Sequence, residues 1–467
     1  MTTTTKHMHT ANEELSPRRR VMAKAARTRA PVKWSDGLRA RLAELAGSIL
    51  ATTDAVRDGA ARGAAGIGKD IDTPWLAARE DDAPIDVVDM FSGCGGMSAG
   101  FRAVNGVLPA FRIAGAVDID RVANESYRLN LGVTPMAESV ADIAARPALR
   151  KRLTSALRPG HPFVLIGCAP CQGFSSHRNA AGQGDERNTL LTDFARVAVQ
   201  LLPDAVVVEN VPELLTDRYW PLAAEVRRTL ERAGYFVHIG IHNAAEFGVP
   251  QERFRALLLA MRRPFLAPHG FLNRSAFRTV RDAIGHLPRV AAGERSPGDA
   301  MHFSAGHRAS TLEVIRAVPK DGGNRPPDVG PACLRRAHER QGKAVYEDVY
   351  GRLRWDRPAI TITAYARNPA SGRFVHPEQD RGLTAREAAL LQGFPATYAL
   401  AGSFDEQFRQ IGNAVPPRFA ASGIALHLLG ELVGDEPPAS GFQRGIVGSV
   451  GTSFSRMIPG IKAGADR

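Results

Sequence analysis

At 467 residues the chain exceeds the ~250–300 residues at which a single hydrophobic core stops growing, so more than one unit is expected. Its four cysteines (Cys94, Cys168, Cys171, Cys333) and lack of an N-terminal apolar leader argue against a disulfide-stapled secreted protein, and no apolar run reaches the ~18 residues of a membrane span, so a cytoplasmic location is expected. The formal charge of +12 is unevenly placed: residues 1–33 hold eight Lys/Arg against two Glu, residues 262–357 hold 18 Lys/Arg against 10 Asp/Glu, and the remainder sums to −2, which fits a near-neutral body with separate polyanion-gripping surfaces better than a generally basic one.

Residues 1–34 have few large apolar side chains and read as a disordered basic tail. Residues 35–83 read as a helical extension and linker. Ser35 is an expected N-cap, and Leu38, Leu42, Leu45 and Ile49 recur at steps of 4, 3 and 4, one face of a helix. GAARGAAGIG (59–68) reads as a flexible connection. From residue 84 short apolar runs alternate with helical spacing. IDVVDMF (85–91), FRIAGAVDID (111–120), FVLIG (163–167) and DAVVVEN (204–210) predict buried parallel strands, hence an α/β doubly wound, mostly parallel sheet over 84–262. Ligands of such sheets bind beyond the carboxyl ends of the strands.

The first strand ends in DMFSGCGGMSAGF, whose glycines Gly93, Gly95 and Gly96 let the backbone turn tightly beside a nucleotide-like ligand, although Ser98 breaks the dinucleotide pattern GxGxxG. Asp118 ends the second run 23 residues beyond Gly95, near the ~20-residue spacing of a ribose-binding acid. A strand-end Asp also serves as a plain helix cap, and both readings stand at this point. After the third run comes GCAPCQGFSS (167–176). A redox pair would open a helix in a small domain, and a zinc site would need two further ligands; neither context is present, so no metal is expected. A loop around one nucleophilic thiol remains. The fourth run delivers Glu209-Asn210-Val211, a carboxylate too deep for a solvated charge. PQERFR (250–255) sets Arg253 and Arg255 on one face of an extended segment, where they can hold a carboxylate or carbonyl.

Taken in order, these motifs resemble those of the bacterial DNA (cytosine-5) methyltransferases: DMFSGCGGMSAGF is similar to the donor loop, GCAPCQGFSS to the nucleophile loop, ENV to the glutamate motif and QERFR to the arginine motif. LTAREAALLQGFP (383–395) and QIGNAVPP (410–417) resemble the last two. The resemblance implies an S-adenosylmethionine-dependent methyltransferase fold with a second, smaller target-recognition domain, and duplex DNA as partner. It implies catalytic roles for Cys171, Glu209, Arg253 and Arg255, and cofactor contacts at Phe91, Gly93, Gly95, Gly96, Asp118, Ile119, Asp142 and Asn413. Residues 263–380 then become the target-recognition region and hinge, 381–435 the C-terminal part of the catalytic domain, and 436–467 a tail. An enzyme acting as a monomer on DNA is expected, and a cognate restriction endonuclease is admitted as a partner. RNA cytosine methylation is disfavoured by the long basic segment, a non-catalytic DNA-binding regulator by the intact Cys, Glu and Arg, and a nicotinamide oxidoreductase by the imperfect glycine pattern.

Overall fold

The four apolar runs form β1 (Ile85–Met90), β2 (Phe111–Val117), β3 (Phe163–Gly167) and β4 (Ala205–Asn210) in a computed structural model that describes residues 36–80, 83–170, 189–341, 346, 348–435 and 446–448. Two further strands, β5 (Phe236–Asn243) and β6 (Phe254–Met261), and the short β7 (Ile446–Gly448) complete a seven-stranded sheet of order β2-β1-β3-β4-β6-β5-β7. β2, β1, β3 and β4 are mutually parallel; β6 runs antiparallel to β4 and β5. β1, β3 and β4 are buried along their whole length, which is why they read as continuous apolar runs rather than alternating ones.

Side chains still alternate between the two faces. Val87, Ile166, Val207 and Leu257 point into one apolar cluster, and Val88, Leu165, Val206 and Leu258 into the other. The first cluster also receives the N-terminal extension and the C-terminal helices. The helix Asp36–Leu45 buries Leu38 and Leu42 as its spacing predicts, but it stops at Leu45 and leaves Ile49 fully exposed; Ser35 lies outside the described residues.

The Gly/Ala-rich stretch corrects the sequence reading. It is not a flexible connection but the body of a 17-residue helix, Thr53–Lys69. Glycine lowers helix propensity, which suggests a linker, yet here it permits close backbone approach. A Cβ on Gly59 would lie 1.7 Å from the Leu42 carbonyl oxygen, and one on Gly63 would touch Leu426 of the C-terminal helix Leu426–Val433.

Within residues 263–380 the helices Val280–Ile284, Ala309–Ala317 and Ala332–Gln341 are joined by irregular chain around a small apolar cluster of Val314, Ile315, Val318, Tyr350 and Val375. Arg352, fully buried, donates to the carbonyls of Ile315 (2.8 Å), Val318 (3.0 Å), His376 (3.0 Å) and Gln379 (2.9 Å) and to the Asp380 carboxylate. The chain then returns to the sheet through the helix Ala385–Leu391, capped by a reciprocal Thr384–Glu387 pair, and the helix Phe404–Asn413, capped in the same way by Ser403 and Glu406. Buried Gln251 joins these parts: its amide donates to the Leu391 carbonyl and to Gln392 Oε1, and its oxygen accepts from the Ile362 N–H.

Candidate active site

From β1 the chain crosses to β2 on one side, and later to β3 on the other, so the loops after β1 and β3 part above a topological switch point. Met90 and Gly167 pair across it. A cavity of about 300 Å³ opens there, walled by the loops after β1, β2, β3 and β4, by Arg253 and Arg255, and by residues 409–415 of the returning chain.

On the donor side Phe91 takes φ 58°, a left-handed conformation that costs a β-carbon residue about 1–3 kcal/mol, and its ring stacks on Phe194 with centroids 6.5 Å apart. The reversal turns the Gly93 N–H onto Asp118 Oδ2 at 2.8 Å, while Asp118 Oδ1 accepts from the Asp120 N–H. Burial raises the Asp118 carboxyl above its ordinary value, and Asp120 adds to this against the opposing backbone N–H groups and Arg409. Ile119 presents a largely exposed apolar side chain to the wall, 71% accessible. Ser92 Oγ is buried on the same wall with no hydrogen-bond partner among the described residues. An orphaned hydroxyl, a strand-end carboxylate and an apolar platform fit the hydroxyl groups and flat ring of a nucleoside, so the residues present suit an adenosine-containing donor.

Gly96 lines the cavity, whereas Gly95 supports it from behind at φ 89°, where a Cβ would collide with Leu131, Tyr127 and the Tyr398 hydroxyl. Asp142 is not among the residues lining the cavity. It stands in the first turn of the helix Val140–Ala145, where Ser139 Oγ donates to it at 2.7 Å and Arg146 pairs with it, and the wall is formed instead by Glu138, Ser139 and Val140. Asn413 ends its helix at the cavity rim. Beside it Arg409 pairs with Asp120 at 2.5 Å, bridging the returning chain and the turn after β2.

On the acceptor side Glu209, 2% exposed at the end of β4, meets two neighbours. Cys168 Sγ donates to Oε2 at 2.9 Å; Arg255 Nε lies 2.8 Å from Oε1, an ion-pair distance, without its N–H aligned on that oxygen. Arg253 lines the cavity too, but its guanidinium donates to the carbonyls of Ile362 (3.0 Å), Gly412 (3.0 Å) and Ala414 (3.3 Å), so it staples the hinge and the returning chain to the site. That task was not visible in the alternation of the two arginines. Cys171 lies outside the described residues, one position beyond cavity-lining Pro170.

Among the other cysteines, Cys94 is unsuited to nucleophilic work: burial pushes its thiol up to about 12, and it hydrogen-bonds the Gln410 carbonyl. Cys333 is exposed on the helix Ala332–Gln341, within the 263–380 segment. Among the described residues no group of three or more His, Cys, Asp or Glu is placed to hold a metal. Sequence reasoning passed over Ser92, Arg409 and the contact of Cys168 with Glu209; the second cysteine in GCAPCQGFSS was a signal for the last of these. It also passed over Asp89 beneath the donor loop, whose carboxyl is pushed up to about 8 by burial, with Asp118 adding and the Ser98 hydroxyl (2.6 Å) opposing.

Residues 85–425 match the family model described as C-5 cytosine-specific DNA methylase. The chain is 33% identical over 342 residues to the Type II methylase M.HgiDII of Herpetosiphon aurantiacus, covering 71% of this chain and 91% of the relative. It is likewise 33% identical over 337 residues to the Type II methyltransferase M1.HphI of Haemophilus parahaemolyticus, covering 71% and 84%. A solved prophage-encoded structure from E. coli shares the fold with a TM-score of 0.52 at 23% identity, over 74% of this chain and 99% of that one.

Proposed function

The chain belongs to the C-5 cytosine-specific DNA methylase family, and from that membership we propose that Cys171, Glu209 and Arg255 carry out the methylation of a cytosine extruded from duplex DNA into the cavity. The protein is a DNA (cytosine-5) methyltransferase that depends on S-adenosylmethionine. The observation that carries the assignment of roles is the meeting of Glu209, Arg255 and the end of the nucleophile loop at Pro170 in one cavity with the Asp118–Ile119 wall.

Carbon 6 of cytosine is a weak electrophile. The thiolate of Cys171 adds to it, the sulfur lone pair forming the S–C6 bond and the C5–C6 π pair moving into the ring, while the proton that Glu209 shares with the ring nitrogen neutralises the charge that would develop there and returns to Glu209 when the thiolate leaves. Carbon 5 thereby becomes nucleophilic. S-adenosylmethionine, when bound, supplies an electrophilic methyl group. Loss of the carbon 5 proton to solvent and departure of the Cys171 thiolate restore the aromatic ring. Arg255 holds the Glu209 carboxylate and reaches the base; Arg253 keeps the hinge and residues 412–414 closed over the site. Phe91, Gly93, Gly96, Ser92, Asp118, Ile119 and Asn413 hold the donor. Extrusion of the base costs a few kcal/mol, offset by contacts in the pocket and along the backbone.

The segment 263–380 supplies target recognition, with exposed arginines such as Arg335 on the phosphates. One cavity takes one cytosine, which favours a monomer on DNA. The Type II designation of the relatives favours a cognate restriction endonuclease, and action on DNA favours a cytoplasmic, nucleoid-bound protein. The test is expression in cells that lack cytosine methylation, followed by sequencing of their DNA for 5-methylcytosine. Wild type is expected to mark one sequence; Cys171→Ser is expected to mark none while still binding DNA and donor, because a hydroxyl is a far poorer nucleophile. 5-Methylcytosine persisting in Cys171→Ser would end this reading.

A further inference from the structure

We propose that Cys168 is a positioning residue for the methyl-transfer reaction, its thiol fixing the Glu209 carboxyl so that Oε1 is the oxygen offered to the target base. The proposal rests on the role given to Glu209 above.

A carboxyl at the end of a strand has two equivalent oxygens and a soft terminal torsion, so either oxygen could face the cavity. Here the two are made unlike. Oε2 accepts from Cys168 Sγ at 2.9 Å. Oε1 lies 2.8 Å from Arg255 Nε but receives no aligned N–H, and it has no hydrogen bond among the described residues although it is buried. A thiol carries one proton and donates it once. One lone pair of Oε2 is therefore occupied by the thiol, which leaves Oε1, met by no N–H or O–H among the described residues, as the freer oxygen to share a proton with a ring nitrogen. The guanidinium supplies charge without occupying that position.

The donor is itself held. Cys168 follows Gly167 at the end of β3, and the next residue, Ala169, is buried with its carbonyl accepting from Asn210 Nδ2 at 3.2 Å. Asn210 adjoins Glu209 on β4, so the loop carrying the thiol and the strand carrying the carboxyl are tied one residue away from the contact. Among the described residues the groups facing Glu209 are Cys168 from the loop after β3 and Arg255 from β6, with Arg253 on the same cavity wall.

The test compares full-length wild type, Cys168→Ala, Cys168→Ser and Glu209→Gln in steady-state methyl transfer, using S-adenosylmethionine and a duplex bearing the sequence found methylated in cells. Cys168→Ala is expected to lower kcat on the order of tenfold, the loss of one hydrogen bond to a charged group, with KM for DNA and donor within about twofold of wild type. Cys168→Ser, which keeps a donor, is expected to recover most of that loss. In parallel, the infrared S–H stretch of Cys168, isolated by subtracting the Cys168→Ala spectrum, is expected to move when Glu209 becomes Gln. An unchanged kcat in Cys168→Ala, a change confined to KM, no rescue by serine, or an S–H band indifferent to Glu209→Gln each overturns the proposal. An active Glu209→Gln would instead remove the role of Glu209, while the band still reports whether the bond exists.

Discussion

In the sheet, β1, β3 and β4 are buried from end to end, and their N–H and C=O groups are met by neighbouring strands. In residues 263–380 the described chain forms isolated bridges rather than extended strands, and arginine side chains meet its buried carbonyls. The first region is stabilised by apolar area and a backbone ladder, the second by a few guanidiniums threaded through irregular loops. The difference revises the meaning of the basic block. The net charge of +8 over residues 262–357 fits phosphate binding, but Arg325 and Arg352 are 1% and 0% exposed and are used on backbone carbonyls. Only part of that charge can reach DNA.

The comparison breaks most readily at Arg352. Arg352→Ala would leave four carbonyls without this donor and Asp380 without its buried partner, and a loss of about 3–5 kcal/mol is expected. Hydrogen exchange should show amides around residues 315–353 losing protection while β1, β3 and β4 keep theirs. Equal loss in both would mean that the two regions unfold as one unit.

A smaller effect separates the regions by pH. Asp89, under the loop after β1, is held at about 8 in the folded chain against an ordinary 3.8, so the folded state keeps a proton that the unfolded state gives up. Stability should fall as pH rises from about 4 to about 8, by up to ~1.4 kcal/mol per unit from this group, and level off above. His376, beside the buried Arg381–Glu387 pair, is lowered by burial to about 3 from 6.5, so its contribution is lost as pH falls below about 6.5. Urea midpoints at pH 6 and pH 8 are expected to differ less in Asp89→Asn than in wild type. An unchanged difference would mean that Asp89 is ionised in the fold.

The smallest stability effect is expected at the surface. Arg335→Ala, on an exposed part of the helix Ala332–Gln341, should change stability by less than about 0.5 kcal/mol. The same change should weaken DNA binding and reduce the slope of log affinity against log salt by about 1, as read by fluorescence anisotropy titrations. A stability loss comparable with that of Arg352→Ala would erase the distinction between buried and exposed arginines in this segment.

Apolar runs gave the positions of β1, β3 and β4 within one residue and that of β2 within three, because a strand buried on both faces is dominated by apolar residues. Motif order placed Glu209, Arg255, Asp118 and Ile119 on one rim, because strand ends in a doubly wound sheet share an edge. Local composition misled at residues 59–68, where glycine serves helix packing.

What the sequence determined by itself is therefore what repeats locally or lies at a strand end: the parallel core, the strand-end residues that rim the cavity, and the class of reaction. The tertiary structure alone decided which side chains meet across long separations. Arg253 reaches the carbonyls of residues 362, 412 and 414, Gln251 joins residues 362, 391 and 392, and Cys168 finds Glu209 41 positions away. A buried polar atom must be met by some partner, but its own neighbourhood in the chain does not say which, because the fold brings that partner from elsewhere.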